Sequence, residues 1–359
     1  MDMLFPSLLR LQFRKALCIM AGIAMLICSD VHAAIYPPLS PKIPFKVGYL
    51  PVTGHAKFFV AKDKGFFDQE GLNVELIQFV NSDEGIRALR SNALDIGAFG
   101  TTSPLFHIAN GANLRIIGGI MGGDVALITS HENAEIIKSV KDLKGKKVAT
   151  VRLATGDAVL RGALHRAGLE WRKDLQIFEL KNPAGILQAV QSGMVDAGVV
   201  WGPHDIEAEE MGLKIIARSQ DLEPGHPCCR ITINTLDQKK YATVWPRFIR
   251  AILRAERFTQ QQENRGEAIS IIQKYLKIDP AMVEKAYYSG NVDQSSDPNV
   301  KGIELFWKTM EESGFIKSKG NIRQFIITSI YTSALESLAA ENPDDPYWEK
   351  LKNQFNERD

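Results

Sequence analysis

The sequence contains few cysteines, no excess of either charge and no common catalytic signature. Only four of its 359 residues are cysteine, and two of these, Cys18 and Cys28, lie near the N terminus, so a disulfide framework is absent. With 43 basic and 42 acidic residues, the chain has no basic surplus for nucleic acid. The absence of Gly-x-Ser-x-Gly, His-Glu-x-x-His and phosphate-loop motifs argues against the corresponding enzyme classes.

Long apolar runs are also scarce, and the main one lies at the N terminus. It covers 16–28, follows three basic residues within 10–15, and precedes a small-x-small pattern ending at Ala33. Such a run is too short to cross a bilayer as a helix, so we interpret 1–33 as a signal peptide cleaved after Ala33. An isoleucine before Cys28 is atypical of a lipoprotein signal. We expect an exported protein.

Two stretches of the chain repeat at a spacing of about one hundred residues. Segments 46–56 and 147–158 each combine an apolar strand, a Thr-Gly pair, one polar residue and an alanine that opens a helical stretch. Segments 88–97 and 189–198 share Ala, Ser, Asp and Gly at matching positions. The repeat indicates a duplicated unit of alternating strands and helices. Such alternation predicts an α/β fold with parallel sheets and right-handed crossovers.

The duplication also predicts the domain organisation. We assign 44–128 together with 236–359 to a first lobe, and 129–235 to a second lobe. Two β-prone runs, near 124–130 and 229–235, are the expected strands that cross between the lobes. Amphipathic spacing in the C-terminal part predicts helices that pack against the first lobe. The strands predicted for the two copies are 45–50, 73–79, 95–99, 147–151, 175–180 and 197–201.

The first candidate binding residues are the two Thr-Gly corners, which lie where a strand leads into a helix. Ligands of open α/β sheets bind beyond the carboxyl ends of the strands. Glycine permits close backbone approach, threonine caps a helix or bonds a ligand, and free amides at a helix start attract anions. Turn formation and capping are the structural alternative for each corner, but their symmetry favours a shared cleft. The candidates are Thr53, Gly54, His55, Thr155, Gly156 and Asp157.

Two more loops of the first copy carry polar candidates. Ser82 and Asp83 open a helix after the second strand, where capping is the alternative role. Thr101, Thr102 and Ser103 follow the third strand and precede a proline. Their hydroxyls could cap the helix, donate to a ligand, or both.

The matching loop of the second copy contains Trp201 and His204. The indole of Trp201 could stack on a flat ligand or belong to the core. His204 could donate to a ligand or lie on the surface. Neither alternative is decided by the sequence.

The most unusual local feature is the segment 226–230, which contains Cys228, Cys229 and Arg230. Its histidine and two thiols could bind a soft metal, contact a ligand, or fill the core as small apolar groups. The spacing matches no standard zinc pattern, so we predict no metal site. Arg230 could pair with an anionic ligand or with a nearby carboxylate.

Segments 47–55, 60–72 and 95–97 resemble the nitrate/sulfonate/taurine-type ABC substrate-binding proteins. That group includes proteins for bicarbonate, aromatic acids, flavins and pyrimidine precursors of thiamine. Segment 140–148 resembles the group's entry into its second lobe, and the likeness extends over about 45–260. The resemblance implies a type II periplasmic-binding fold, or Venus flytrap, in which each lobe is a mostly parallel sheet flanked by helices.

The resemblance also implies how such a chain works. The lobes close around a solute and deliver it to an ABC permease and its ATPase. Binding positions carry over to 53–55, 82–83, 101–103, 155–157 and the loop at Trp201. We expect no catalysis and no cofactor.

The paired cysteines depart from the common sulfonate and nitrate pattern. Together with the acidic Asp157 they favour an aromatic, pyrimidine-like or organosulfur solute, while a sulfonate stays a candidate. Two other functions stay open. One is a pyrimidine-synthase-like enzyme on the same fold, which the signal peptide disfavours, and the other is a binding protein that reports to a sensor.

Overall fold

The computed structural model describes residues 36–235, 243–318 and 320–359. The predicted signal peptide, 1–33, lies outside these residues and stays a prediction. Within the described ranges, no helix combines the length and the apolar character that a membrane crossing requires.

The described residues form two mixed sheets with helices packed around them. Their strands are β1 (Ile43–Tyr49), β2 (Leu72–Gln78), β3 (Ile96–Gly100), β4 (Leu114–Gly123), β5 (Val125–Thr129), β6 (Lys147–Val151), β7 (Gln176–Leu180), β8 (Ala197–Trp201), β9 (Lys214–Arg218), β10 (Pro227–Asn234) and β11 (Val292–Asp293). The first sheet has the order β11-β4-β10-β3-β1-β2, and the second has the order β7-β6-β8-β5-β9. All but β10 and β11 in the first sheet, and all but β5 in the second, run in one direction. The predicted two-lobed α/β fold is confirmed, and the sheets of the described residues are mixed, with four parallel and five antiparallel strand pairings.

The helices come in two groups. Those of the duplicated units are α1 (Ala56–Asp63), α2 (Phe66–Gln69), α3 (Ser82–Arg90), α4 (Thr102–Ala109), α5 (Thr155–Arg166), α6 (Pro183–Gln191), α7 (His204–Glu210) and α8 (Ser219–Leu222). Those of the C-terminal part are α9 (Val244–Gln260), α10 (Arg265–Leu276), α11 (Pro280–Tyr288), α12 (Val300–Glu312), α13 (Thr328–Glu341) and α14 (Pro346–Arg358).

The two sheets repeat one pattern of strand pairing. β1 lies between its parallel neighbours β2 and β3, and β6 lies between β7 and β8. Asp95 Oδ2 accepts a 2.7 Å hydrogen bond from the backbone N–H of Lys46, and Asp196 Oδ2 accepts one of 2.7 Å from that of Lys147. The repeated aspartates therefore fix the start of equivalent strands in the two lobes.

The runs near 124–130 and 229–235, expected to cross between the lobes, each pair within a single sheet. β5 lies between β8 and β9, and β10 lies between β3 and β4. The chain changes sheet at Gly123 and Asp124, where φ is 72° for both residues, and again between β9 and β10. Apolar composition marks both runs as strands, but composition carries no information about which sheet a strand joins.

The C-terminal helices contact both halves of the molecule. Helix α9 packs against α1, α2 and α13, and buries Trp245, Phe248 and Ile252. The expected packing against the first lobe is therefore only part of the arrangement. Helix α12 packs against α5, which lies beside the second sheet, and Trp171 Nε1 donates a 2.8 Å hydrogen bond to the carbonyl of Ser313 beyond α12.

Candidate functional site

A buried cavity lies where the two sheets meet. Its volume is about 30 Å³, room for one or two water molecules. We call it the interlobe cavity. From here on, the first lobe is the part built on the first sheet, which includes β10, and the second lobe is the part built on the second sheet, which includes β5. The first-lobe lining consists of Leu50, Val52, Ser82, Gly100, Met121, Cys228 and Cys229, and the second-lobe lining consists of Val125, Ala154, Thr155, Gly156 and Trp201.

The lobes touch each other directly at the edge of this cavity. Thr155 Oγ1, at the start of α5, donates a 2.6 Å hydrogen bond to the carbonyl oxygen of Cys228. The same oxygen accepts a 2.7 Å bond from the backbone N–H of Thr101. A Cβ atom at Gly100 would lie 2.9 Å from both Ser82 Oγ and Thr155 Oγ1. Only glycine leaves room for this close approach of the two lobes.

The residues of the second Thr-Gly corner lie in two places, the cavity lining and the interior of the lobe. Thr155 and Gly156 line the cavity. Asp157 is fully buried and accepts hydrogen bonds from the backbone N–H of Leu153 at 3.2 Å and from Arg161 Nε at 2.8 Å. Burial raises the pKa of Asp157, and the Arg161 guanidinium opposes that effect. The structure therefore places this carboxylate in the scaffold of its own lobe, away from the cavity lining.

The first Thr-Gly corner does not line the cavity but packs against Met121, which does. Thr53, Gly54 and His55 form a buried turn of 3-10 helix, and a Cβ at Gly54 would overlap Met121 Sδ. His55 Nδ1 accepts a 3.1 Å hydrogen bond from the backbone N–H of Leu50. Burial, with a smaller effect of Lys57, lowers the pKa of His55 to about 3. The imidazole is thus neutral.

Ser82 and Asp83, adjacent at the start of α3, point to different surroundings. Ser82 lines the cavity and accepts a 3.0 Å hydrogen bond from the backbone N–H of Gly100. Asp83 bonds His107 at 2.8 Å and Arg87 at 2.7 Å, outside the cavity lining. The capping role expected here is carried out by Asn81, whose side chain accepts from the backbone N–H of Glu84.

Thr101, Thr102 and Ser103 follow the cavity-lining Gly100 but do not line the cavity themselves. All three are fully buried, and their hydroxyl oxygens have no hydrogen-bond partner among the described residues. Thr101 directly precedes α4, and Thr102 and Ser103 are its first two residues.

A second pocket adjoins the cavity on the side of Trp201. This outer pocket has a volume of about 230 Å³. It shares five lining residues with the interlobe cavity: Leu50, Val52, Ser82, Ala154 and Trp201. His204 lines it, with Nδ1 held 2.6 Å from Glu207 Oε2. The outer pocket also contains the amide side chains Gln78, Asn81 and Asn182.

The adjacent cysteines both reach the cavity because β10 is irregular there. Pairing with β4 shifts register on both sides of Cys229, so the strict alternation of a regular strand is broken. Cys228 and Cys229 are buried and unbridged, with their sulfur atoms 3.9 Å apart. The hydrogen bond from Cys229, aided by His226, lowers the pKa of Cys228, whereas that contact and burial raise the pKa of Cys229.

Arg230 points away from the cavity. Its NH1 donates hydrogen bonds of 2.9 Å and 3.1 Å to the carbonyl oxygens of Asp297 and Pro298. Burial lowers the pKa of this guanidinium. Arg230 therefore ties the first sheet to the segment before α12, and the structure gives it no position from which to pair with a solute in the cavity.

The sequence analysis missed several lining residues. Met121 is the most informative, since it pairs with Cys229 across the β4–β10 ladder and adds a thioether to the cavity wall. The sequence analysis also missed Asp124, which lies at the first change of sheet and lines neither pocket. It is buried, and burial together with Asp205 and Cys228 raises its pKa well above the usual range. A single acid inside the apolar run 114–129 is the sequence signal that could have identified it.

Across the described residues, no three His, Cys, Asp or Glu side chains cluster so that they could hold a metal ion. A metal site with three protein ligands here would have to include at least one side chain of another type.

Comparison with known proteins identifies the family and the fold of this chain. A binding protein of Brucella abortus is 28% identical over 257 residues, which are 70% of this chain and 77% of that protein. The crystal structure of the periplasmic aliphatic sulphonate-binding protein of Escherichia coli, at 22% identity, covers 79% of this chain and 92% of its own with a TM-score of 0.65. The periplasmic nitrate-binding protein of Synechocystis, at 15% identity, covers 89% of this chain and 99% of its own with a TM-score of 0.73.

The two solved structures share this fold, and the resemblance to nitrate/sulfonate-type binding proteins is confirmed. The model of the NMT1-like family matches residues 40–273, which is well over half of the chain. The protein is a member of the NMT1-like family.

Proposed function

We propose that this chain is the ligand-capturing subunit of an ABC importer. It closes two lobes around a small solute in the periplasm and delivers the solute to a membrane permease and its ATPase. The observation that carries the proposal is the interlobe cavity, which both lobes line and which the Thr155–Cys228 hydrogen bond closes at its edge. Relatives named for sulfonate and nitrate binding support it.

The lining favours an uncharged or partly apolar solute. Among the described residues that line the cavity and the outer pocket there is no lysine, arginine, aspartate or glutamate. A charged group on the ligand would depend on the N-terminal ends of α3 and α5, which reach the cavity at Ser82 and Thr155. Trp201 supplies a flat apolar surface shared by both pockets.

The size of the outer pocket suits a single ring. A cavity of about 150 Å³ is known to admit benzene, and the outer pocket has about 230 Å³. Gln78, Asn81 and Asn182 would bond ring heteroatoms or substituents. We therefore favour an aromatic or pyrimidine-like solute over a small inorganic anion. The protein releases this solute unchanged.

A thermal-shift screen of the mature chain tests the proposal. Pyrimidines, aromatic acids, flavins and sulfonates are compared, and each hit is titrated by calorimetry. We expect one ligand per chain and loss of binding in Trp201→Leu. Trp171→Leu is the matched control, because Trp171 belongs to the same lobe but lines neither pocket.

Two outcomes would contradict the proposal. If Trp201→Leu and Trp171→Leu bind the best hit with equal affinity, the ligand does not bind in the pockets that Trp201 lines. Chemical conversion of a hit by the purified protein, followed by mass spectrometry, would replace capture with catalysis.

A further inference from the structure

We propose that Met121, Cys228 and Cys229 form a binding site for one soft cation of the Cu(I) class. We call these three residues the sulfur cluster. The proposal goes beyond capture of an organic solute, because it depends on three sulfur atoms of the first lobe and not on the identity of the solute.

The first step of the argument is that two adjacent cysteines face one cavity. In a regular strand their side chains would point to opposite faces of the sheet. The register shifts around Cys229 remove that alternation, and both thiols line the interlobe cavity. The sulfur atoms lie 3.9 Å apart, well beyond the roughly 2.05 Å of a disulfide bond, so both are free to bind a third atom.

The third sulfur is held in place by packing. Met121 is the ladder partner of Cys229, and its side chain lines the same cavity. Met121 Sδ lies so close to Gly54 that a Cβ at position 54 would overlap it. The thioether is therefore fixed against the first Thr-Gly corner.

The spacing of the thiols matches a three-coordinate ion. Bonds of about 2.3 Å from a metal to each thiolate, with sulfur atoms 3.9 Å apart, give an angle of roughly 116° at the metal. Trigonal coordination requires about 120°, so the two cysteines need little rearrangement to share one ion. Met121 then supplies the third ligand, and both thiols give up their protons on binding.

The chemistry of the wall selects the class of ion. Thiolate and thioether ligands favour Cu(I) over harder divalent metals. No lysine, arginine or histidine is among the described residues that line the interlobe cavity. Arg230 and His226 lie outside the lining, and their charges lower the pKa of Cys229 and of Cys228, which favours the thiolate forms that bind a metal. A volume of about 30 Å³ accepts a bare ion but excludes a hydrated one.

The test uses Ag(I), a redox-inert probe for Cu(I) sites, on reduced full-length mature protein without oxygen. Calorimetry should give one Ag(I) per chain. We expect Cys228→Ser and Cys229→Ser each to weaken binding at least 100-fold, and Met121→Leu to weaken it about tenfold. Met310→Leu is the matched control, since Met310 is equally buried but lies outside the cavity.

The result that overturns the site is unambiguous. The proposed metal site is wrong if reduced wild-type protein binds no Ag(I). It is also wrong if the double variant Cys228→Ser/Cys229→Ser binds Ag(I) as tightly as wild type. Failure of the silver-binding test is distinct from failure of the proposed solute capture. An organic ligand that still binds the double variant would uphold solute capture while the silver titration decides the sulfur cluster alone.

Discussion

The hydroxyl of Thr155 and the carbonyl of Cys228 join the two lobes through one buried hydrogen bond of 2.6 Å. The donor lies at the start of α5 beside the second sheet, and the acceptor lies on β10 in the first sheet. The residue that presents a thiol to the cavity thus also presents the backbone oxygen that closes it. Four predictions follow from this contact and its surroundings.

Thr155→Val should weaken closure and leave the fold intact. Valine keeps the shape of threonine but removes the hydroxyl, and one hydrogen bond contributes about 1 kcal/mol. We expect affinity for the best ligand to fall about fivefold, measured by calorimetry, and small-angle scattering to show a larger open population. Thr150→Val is the matched control, because the Thr150 hydroxyl is buried without a partner. Unchanged affinity in Thr155→Val would show that the bond is dispensable.

Gly100→Ala should block closure by a steric mechanism. The added Cβ would lie 2.9 Å from Ser82 Oγ and Thr155 Oγ1, and 3.2 Å from the backbone nitrogen of Thr155. The serine can rotate, but the backbone of the opposite lobe has to retreat. We expect at least a tenfold loss of ligand affinity with a nearly unchanged melting temperature of the unliganded protein. Gly266→Ala, where an added Cβ meets nothing within 4 Å, should bind normally.

Asp157→Asn should destabilise the protein without changing the site. The substitution removes the charged carboxylate that lies 2.8 Å from Arg161 Nε, while Glu179 stays 3.1 Å from the same guanidinium. Breaking a buried ion pair costs about 3 kcal/mol, and the remaining Glu179 contact makes that figure the upper limit here. Urea denaturation should show that loss, with normal ligand affinity per folded molecule. Asp83→Asn, which weakens a less buried pair, should cost no more than about 1 kcal/mol. If Asp157→Asn instead loses much of its ligand affinity and keeps normal stability, Asp157 belongs to the ligand-binding site.

The neutral state of His55 should appear as a pH dependence of stability. Its pKa is about 3 in the folded protein against an ordinary value of 6.5. Below pH 6.5 the unfolded chain binds a proton that the native imidazole does not, so the contribution of His55 to stability is lost as the pH falls toward 3. The nearby Lys57 acts in the same direction.

The comparison variant is His55→Gln, whose amide can still accept from Leu50. Between pH 7.5 and 5.0 we expect the difference in unfolding free energy between wild type and variant to shrink by about 2 kcal/mol. Urea denaturation at both pH values measures it. A constant difference would mean that His55 titrates normally in the folded state.

The sequence by itself determined the elements, their duplication and the loops between them. Strand and helix periods are local properties, so segments 46–56 and 147–158 predict the same strand and corner wherever they lie in space. The matching roles of Asp95 and Asp196 at the strand starts come from this local repeat. The two-lobed α/β architecture follows from it by the rules of parallel crossovers.

Only the tertiary structure decided which side chains line the cavity. Cys228 lines the cavity next to a register shift of β10, and Met121 lines it as the ladder partner of Cys229. Asp157 does not line the cavity and instead accepts a hydrogen bond from Arg161. These outcomes depend on strand register and on packing between residues far apart in the chain, which a one-dimensional pattern does not encode. Local periodicity sets the face a residue prefers, and long-range packing decides what that face meets.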